Sequence, residues 1–254
     1  MFALERQKRI TELLKENGSV FVKELSAELG VTEETVRRDL EKLEQQGTLL
    51  RTHGGAVPLD ENIHELSLEK RKAANTTAKA HMASKAAKFI LPGDTIFLDA
   101  STTTFYIAKE LKKMKNITVV TNSLRVMNEL ADTPDIKVIA VGGMISRNQS
   151  LVGSLAENNI KNNYFVNKMF FSSRGVSAAS GILESNEQEC AIKQSMMKNA
   201  TVKIYLCDKT KIDRIGFVKL ADISDIDCIV TEKNALTEEL ETILKEYKTD
   251  VVTV

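Results

Sequence analysis

The apolar positions near the start of the chain recur at helical spacing. Ile10, Leu13 and Leu14 form one face of a first helix that follows Arg6 and Arg9, and Gly18 ends it. Val20 and Val22 lead into a second amphipathic segment, Val22 to Leu29, closed by Gly30. Thr32 then opens a third helix as an N-cap, with Glu33 and Glu34 at the positive end of the helix dipole. Val36, Leu40 and Leu43 form its apolar stripe and leave Thr35, Arg37 and Arg38 on the more exposed sides. Gln45-Gln46-Gly47 marks its C-terminus, with the glycine in the left-handed position. Thr48 to Thr52 is extended, and His53-Gly54-Gly55-Ala56-Val57 follows. Two short helices around a tight, glycine-containing turn predict a helix-turn-helix over about residues 20–39, and the two extended runs add a wing. In such a module the second helix enters a major groove. Thr32, Glu34, Thr35, Arg37 and Arg38 are its candidate DNA contacts, and a glutamate there can accept from cytosine N4. Arg51 and His53 are candidate phosphate contacts on the wing.

Beyond the wing the pattern changes. Pro58 to His64 is polar and aperiodic, whereas Ser67 to Phe89 is helical in pattern until Leu91-Pro92-Gly93-Asp94 stops it. Strands then alternate with helices. The strands are Thr95–Ala100, Ile117–Thr121, Ile136–Val141, Lys168–Phe171, Val202–Cys207 and Asp227–Val230, with a short last one at Val251-Val252. The helices are Thr103–Lys113, Leu124–Leu130, Glu187–Lys198 and Thr237–Glu246. The alternation predicts an α/β domain around a largely parallel sheet. The division expected is a DNA-binding domain over 1–57, a linker over 58–75 and an effector domain over 76–254.

In a parallel sheet the ligand site lies at the carboxyl ends of the strands, and here those ends are polar. The first runs Asp99-Ala100-Ser101-Thr102-Thr103-Thr104 straight into a helix, an arrangement suited to phosphate. The others are Thr121-Asn122-Ser123, Gly142-Gly143, Ser172-Ser173-Arg174-Gly175 and Asp208 to Lys211. A serine or threonine before a helix is most often only its cap, but five such ends in one sheet favour a phosphorylated polyol or sugar. Asp99, Asp208 and Glu187 suit its hydroxyls; Lys79, Lys193, Lys211 and Arg174 suit its phosphate.

Composition narrows the class further. The chain has 254 residues, enough for one small and one medium domain. Lys and Arg number 35, as do Asp and Glu, so any basic face must arise from placement in the fold. No apolar run reaches the roughly 18 residues a membrane span needs. The charged helix beginning at Met1 is unlike a signal peptide. Cys190, Cys207 and Cys228 lack metal-ligand spacing, and the last two sit in apolar strands as reduced core residues. A cytoplasmic protein without metal or cofactor is expected.

Thr35-Val36-Arg37-Arg38-Asp39-Leu40, the His53-Gly54-Gly55-Ala56 run and Arg6 together resemble the DNA-binding domain of the DeoR/GlpR family of bacterial transcriptional regulators. The resemblance continues through Asp99 to Thr104, Thr121-Asn122-Ser123, Val141-Gly142-Gly143, and Asp208 with Lys211. It departs at Ala100-Ser101 and at Arg174, where many members carry an acidic or polar residue. The resemblance implies an operator-binding repressor of a carbohydrate operon, controlled by a phosphorylated sugar and acting as a homodimer or higher homo-oligomer. It implies a sensor fold similar to ribose-5-phosphate isomerase and CoA-transferase-like proteins. By position it makes Arg71 and Lys79 responsive to the effector, Arg71 standing where some members have lysine. Asp39 is expected to orient Arg38 or Arg37 rather than to touch DNA. The competing reading is a sugar-phosphate isomerase with a DNA-binding appendage, using Asp99, Glu187 or Asp208 as general base beside Lys211.

Overall fold

A computed structural model describes residues 3–17, 20–46, 48–52, 54–58 and 67–254. Gly18, Gly47, His53 and the polar stretch 59–64, all singled out above, lie outside the described residues, as do Met1 and Phe2. The chain divides into two compact units, Met1–Leu66 and Ser67–Val254.

The first unit comprises α1 (Ala3–Asn17), β1 (Val20–Phe21), α2 (Val22–Leu29), α3 (Glu33–Gln45), β2 (Leu49–Thr52) and β3 (Gly55–Pro58). Gly30 adopts φ 64° and its N–H bonds to Ser26 O, which ends α2 and turns the chain sharply toward α3. Thr32 caps α3 by accepting from Thr35 N at 3.3 Å. The expected stripe of Val36, Leu40 and Leu43 is buried with Ile10, Leu13, Leu14 and Leu25. Each such side chain contributes roughly 1.5–3 kcal/mol on burial, so the stripe is what fastens α3 to the module. β2 and β3 form the antiparallel wing. β1 adds a third strand in the order β1-β3-β2, which a two-residue run does not reveal in sequence.

The second unit opens with α4 (Leu68–Ala73) and α5 (Thr76–Ala86). The helical pattern of 67–89 is broken between them by Asn75, whose φ of 51° no helix continues through. Then come β4 (Thr95–Leu98), α6 (Thr104–Leu111), β5 (Ile117–Thr121), α7 (Leu124–Leu130), β6 (Ile136–Ala140), β7 (Met144–Ile145), β8 (Leu151–Val152), α8 (Ser154–Asn163) and β9 (Val166–Phe171). The remainder is β10 (Gly175–Ser177), β11 (Gly181–Glu184), α9 (Glu187–Lys198), β12 (Ala200–Cys207), β13 (Val218–Ala221), β14 (Cys228–Thr231), α10 (Glu238–Glu246) and β15 (Asp250–Thr253).

The main sheet has seven strands in the order β15-β14-β12-β9-β4-β5-β6, and every pairing is parallel. Alternate residues serve opposite faces, as period-two backbone requires. Ile96, Leu98, Ile204 and Leu206 pack with α5, α6 and α7. Phe97, Met169, Phe171 and Tyr205 pack with α8, α9 and α10. The expected α/β architecture with a parallel sheet is therefore present, in three layers. From β4 the chain winds outward to β6, then returns to β9 and winds the other way. The strand order reverses between β4 and β9, and the crevice outside their carboxyl ends is where a ligand fits.

Candidate functional site

In the first unit, the groove-facing candidates sit at the start of α3. The Thr32 and Thr35 hydroxyls lie 2.9 Å apart. Arg37 pairs with Glu33 at 2.6 Å and Arg38 with Glu34 at 3.4 Å, each one helical turn back. Exposed pairs of this spacing contribute about 0.3–0.5 kcal/mol, so a DNA phosphate exchanges for the glutamate at little cost. Arg37 and Arg51 line one cleft of ≈ 480 Å³ with Glu33, Phe21 and Gly54. Asp39 behaves otherwise than expected. Its carboxylate accepts from Arg6 Nε at 2.7 Å and Gln7 Nε2 at 3.0 Å and is buried. It fastens α1 to α3 and orients neither Arg37 nor Arg38, both of which take glutamates on their own helix.

In the second unit, Asp99 ends β4 fully buried at the crevice. One carboxylate oxygen accepts from Thr104 Oγ1 at 2.7 Å and Ser101 N at 3.1 Å. The other accepts from Ser172 N at 3.2 Å, across the β4–β9 boundary, and faces Lys193 Nζ at 3.2 Å. Lys193, on α9, also pairs with Glu184 of β11 and donates to Ser172 O at 2.7 Å. Burial alone pushes the Lys193 pKa down. Glu184 and Asp99 outweigh it, and the net shift is upward. Lys193 is thus committed to two carboxylates and is not the available cation its sequence position suggests. Asp99 holds two donors on each oxygen, which leaves it unsuited to the general-base role of an isomerase.

Other cations are placed differently. Lys211 donates to Ser172 Oγ at 2.6 Å and Ser173 O at 2.9 Å, and burial pushes its pKa down. Lys79 is buried, and its ammonium donates to the carbonyls of Arg71 and Ala74. Its pKa is lowered to about 8, first by burial and then by the charge of Lys211, with Arg71 and Arg125 adding to the effect and Asp208 opposing it. Arg71 donates to Asn148 Oδ1 at 2.6 Å. Lys79, Lys211, Arg71 and Arg125 therefore lie within electrostatic reach at one end of the sheet. Asp208 accepts from Thr210 N at 3.0 Å and from Asn75 Nδ2 at 3.3 Å.

The remaining candidates divide by what their polar atoms already do. Thr121 Oγ1 donates to Leu98 O at 2.7 Å, and Ser123 caps α7 by accepting from Val126 N at 3.3 Å. Ser101 Oγ accepts from Thr104 N at 3.1 Å. Thr102, Thr103 and Asn122 are buried, and Thr103 Oγ1 and Asn122 Oδ1 have no hydrogen-bond partner among the described residues. Gly142 has φ 73° with open space where a side chain would go. A Cβ on Gly143 would lie 2.6 Å from Val152 O, so its lack of a side chain accommodates the chain's own strand β8 rather than a ligand. Arg174 is buried with its N–H bonded to Leu183 O at 3.0 Å, and Gly175 begins β10. Glu187 lies exposed in the first turn of α9. Besides Asp99, the acids that reach the polar cluster are Glu184 and Glu189, the latter accepting from Ser150 and, at 3.2 Å, from Ser146 Oγ. Sequence reasoning missed them and Arg125. The one available signal was the spacing of Glu189 and Lys193, four apart on the α9 face that buries Cys190, Ile192 and Met196. Cys190, Cys207 and Cys228 are buried and free, and burial pushes their thiols up to about 11, about 12 and about 12.

Residues 6–62 match the DeoR-like helix-turn-helix domain, and residues 74–233 match the DeoR C terminal sensor domain. The chain belongs to the DeoR family. A DeoR-family protein of this build is a DNA-binding transcriptional regulator and not an enzyme, and its full-length relatives carry such names. An uncharacterized HTH-type transcriptional regulator of Bacillus subtilis (strain 168), YulB, is 38% identical over 233 residues, 91% of this chain and 90% of that protein. The lactose phosphotransferase system repressor of Lactococcus lactis subsp. lactis is 37% identical over 241 residues, 93% of each. The L-fucose operon activator of Haemophilus influenzae (strain ATCC 51907 / DSM 11121 / KW20 / Rd) is 33% identical over 250 residues, 98% of each. Among solved structures, a D-ribose-5-phosphate isomerase in complex with phospho-erythronic acid aligns at TM-score 0.40 and 17% identity, over 53% of this chain and 52% of that one, too slight a likeness to bear on function. Among the described residues, no helix is long and apolar enough to cross a membrane.

Proposed function

We propose that this regulator represses a carbohydrate-utilisation operon in the cytoplasm and releases its operator when a phosphorylated sugar occupies the β4–β9 crevice. In this reading residues 1–57 bind double-stranded DNA, 58–75 link, and 76–254 sense. Two copies of α3 in a homodimer, or in a higher homo-oligomer, meet the two halves of a two-fold operator. Thr32, Glu34 and Thr35 face base edges, and Arg37, Arg38 and Arg51 meet base edges or phosphates.

The observation that carries the effector half is Lys211, which donates to Ser172 Oγ at 2.6 Å where the Ser172 N–H meets Asp99 at the end of β4, with Lys79 within electrostatic reach of Lys211 and Arg71. These cations repel one another, and a phosphate relieves the repulsion. Lys79 also supplies a route for coupling. Its ammonium holds the carbonyls of Arg71 and Ala74 at the C-terminal end of α4, the helix within the 58–75 segment. A phosphate that draws the ammonium away frees that end, so the ligand binds the two arrangements of α4 unequally and shifts their populations.

The test uses fluorescence anisotropy of DNA from the protein's own gene neighbourhood at fixed salt, with a panel of sugar phosphates. The native chain binds one DNA segment and one compound releases it. Lys79→Met binds the same segment and is not released. Release that is unchanged in Lys79→Met refutes this route, and a panel with no active compound refutes the effector.

A further inference from the structure

We propose that Arg125 fixes the anionic end of the effector and that the Asn122 carbonyl accepts a hydroxyl of the same molecule, so the site takes a phosphate ester with a hydroxyl beside the phosphate. The proposal rests on the effector reading above and adds to it the anchoring residue and the ligand chemistry.

Arg125 lies in the first turn of α7, and its guanidinium sits 4.0 Å from the ring centroid of Phe105, in the first turn of α6. Phe105 is in turn braced edge-on against Tyr106, with centroids 6.2 Å apart. An arginine stacked on an aromatic face is fixed in place, and its planar fork suits phosphate oxygens. Its Nη1 is buried with no hydrogen-bond partner among the described residues. The acids near enough to influence it are already engaged, Glu69 with Lys72 at 2.8 Å and Glu129 with Lys112 at 3.0 Å. A buried guanidinium donor without an acceptor calls for an explanation, and a bound anion supplies one.

Other unspent groups lie at the same two strand ends, and β4 and β5 are neighbours in register at Leu98 and Thr121. The backbone amides of Thr102 and Thr103 have no partner among the described residues. These are donors at the start of α6, where the helix dipole also favours negative charge. Asn122 is the exception that defines the ligand. It is 1% exposed, its Nδ2 donates to Leu151 O at 3.3 Å, and its Oδ1 accepts nothing. The dianionic phosphate of a monoester offers no proton, so it satisfies Arg125 and the amides but leaves Asn122 Oδ1 unpaired. A hydroxyl satisfies it.

Isothermal titration of the full chain with methyl phosphate, and separately with glycerol 3-phosphate, tests the proposal at pH 7 and constant ionic strength. The native chain binds glycerol 3-phosphate more tightly than methyl phosphate. Arg125→Ala weakens both by about tenfold or more, the loss of one charge-assisted contact. Arg125→Lys recovers part of that loss and covers the case in which Arg125→Ala fails to fold. Asn122→Ala weakens glycerol 3-phosphate and leaves methyl phosphate unchanged. Thermal melts of the unliganded variants establish folding. If both Arg125 variants bind like the native chain while Lys79→Met loses methyl phosphate, the proposal falls and the effector reading stands. If the native chain binds neither probe at roughly tens of millimolar, both fall.

Discussion

At the residue scale, Asp39 shows what a polar side chain in a recognition helix is for. It shares the buried side of α3 with Val36, Leu40 and Leu43, which lie three, one and four residues away, and there it meets Arg6 and Gln7 from α1. That spacing was visible in the sequence; the partner, 33 positions upstream, was not, because only the fold brings α1 across α3. Asp39→Ala leaves the Arg6 charge without its buried acceptor, so denaturant unfolding should show a loss of about 3 kcal/mol in the first unit. Arg38→Ala, on the exposed side, should leave stability unchanged and weaken DNA. Lys79 makes a prediction of a different kind. Its pKa in the fold is about 8, against 10.5 for an ordinary lysine. Burial and the neighbouring cations therefore disfavour the ammonium form. That penalty is fully present below about pH 8, and stability from this group rises as pH climbs from about 8 to 10.5. A phosphate ligand favours the ammonium and reverses the sign for binding. Affinity should be greatest below pH 8 and fall above it, by up to about tenfold per unit. Titrations of the native chain across pH 7 to about pH 9.5 check this, and Lys79→Met should flatten the profile.

At the element scale, the long parallel strands and their helices were legible because apolar periodicity and burial coincide there. Ile117–Thr121, Leu124–Leu130 and Glu187–Lys198 stand where the pattern puts them. What escaped was short or thinly apolar. α8 turns only Ala156 and Ile160 into the core, too narrow a stripe to read. β10, β11 and β13 form an antiparallel sheet of three- and four-residue strands that only tertiary pairing defines. Gly142 and Gly143 looked alike in sequence, as two residues where a ligand approaches backbone. The structure separates them. A Cβ on Gly143 collides with Val152 O, a backbone atom that cannot move aside without disturbing β8, whereas Gly142 faces open space. Gly142→Ala should cost about 1 kcal/mol of left-handed strain, and Gly143→Ala clearly more, as compared by urea denaturation.

At the scale of the whole molecule, strand–helix alternation conveyed the fold class, and the polar strand ends conveyed the site. The order of the strands was not legible, because nothing local states that β9 returns to lie beside β4. That return creates the crevice, brings Ser172 to Asp99, and leads on to α9, which carries Lys193 between Asp99 and Glu184. Lys193 accordingly changed from a candidate phosphate ligand to a neutralised structural cation. The central claim is that occupancy of this end of the sensor changes the grip on DNA. Linkage makes it reciprocal: a ligand that weakens operator binding by a given factor must itself bind more weakly, by the same factor, to the operator-bound protein. The most direct measurement is the affinity of the releasing sugar phosphate for the full chain, by calorimetry, with and without saturating operator DNA. The affinity should fall on DNA by the same factor that the compound imposes on the operator. Equal affinity in both titrations would contradict it.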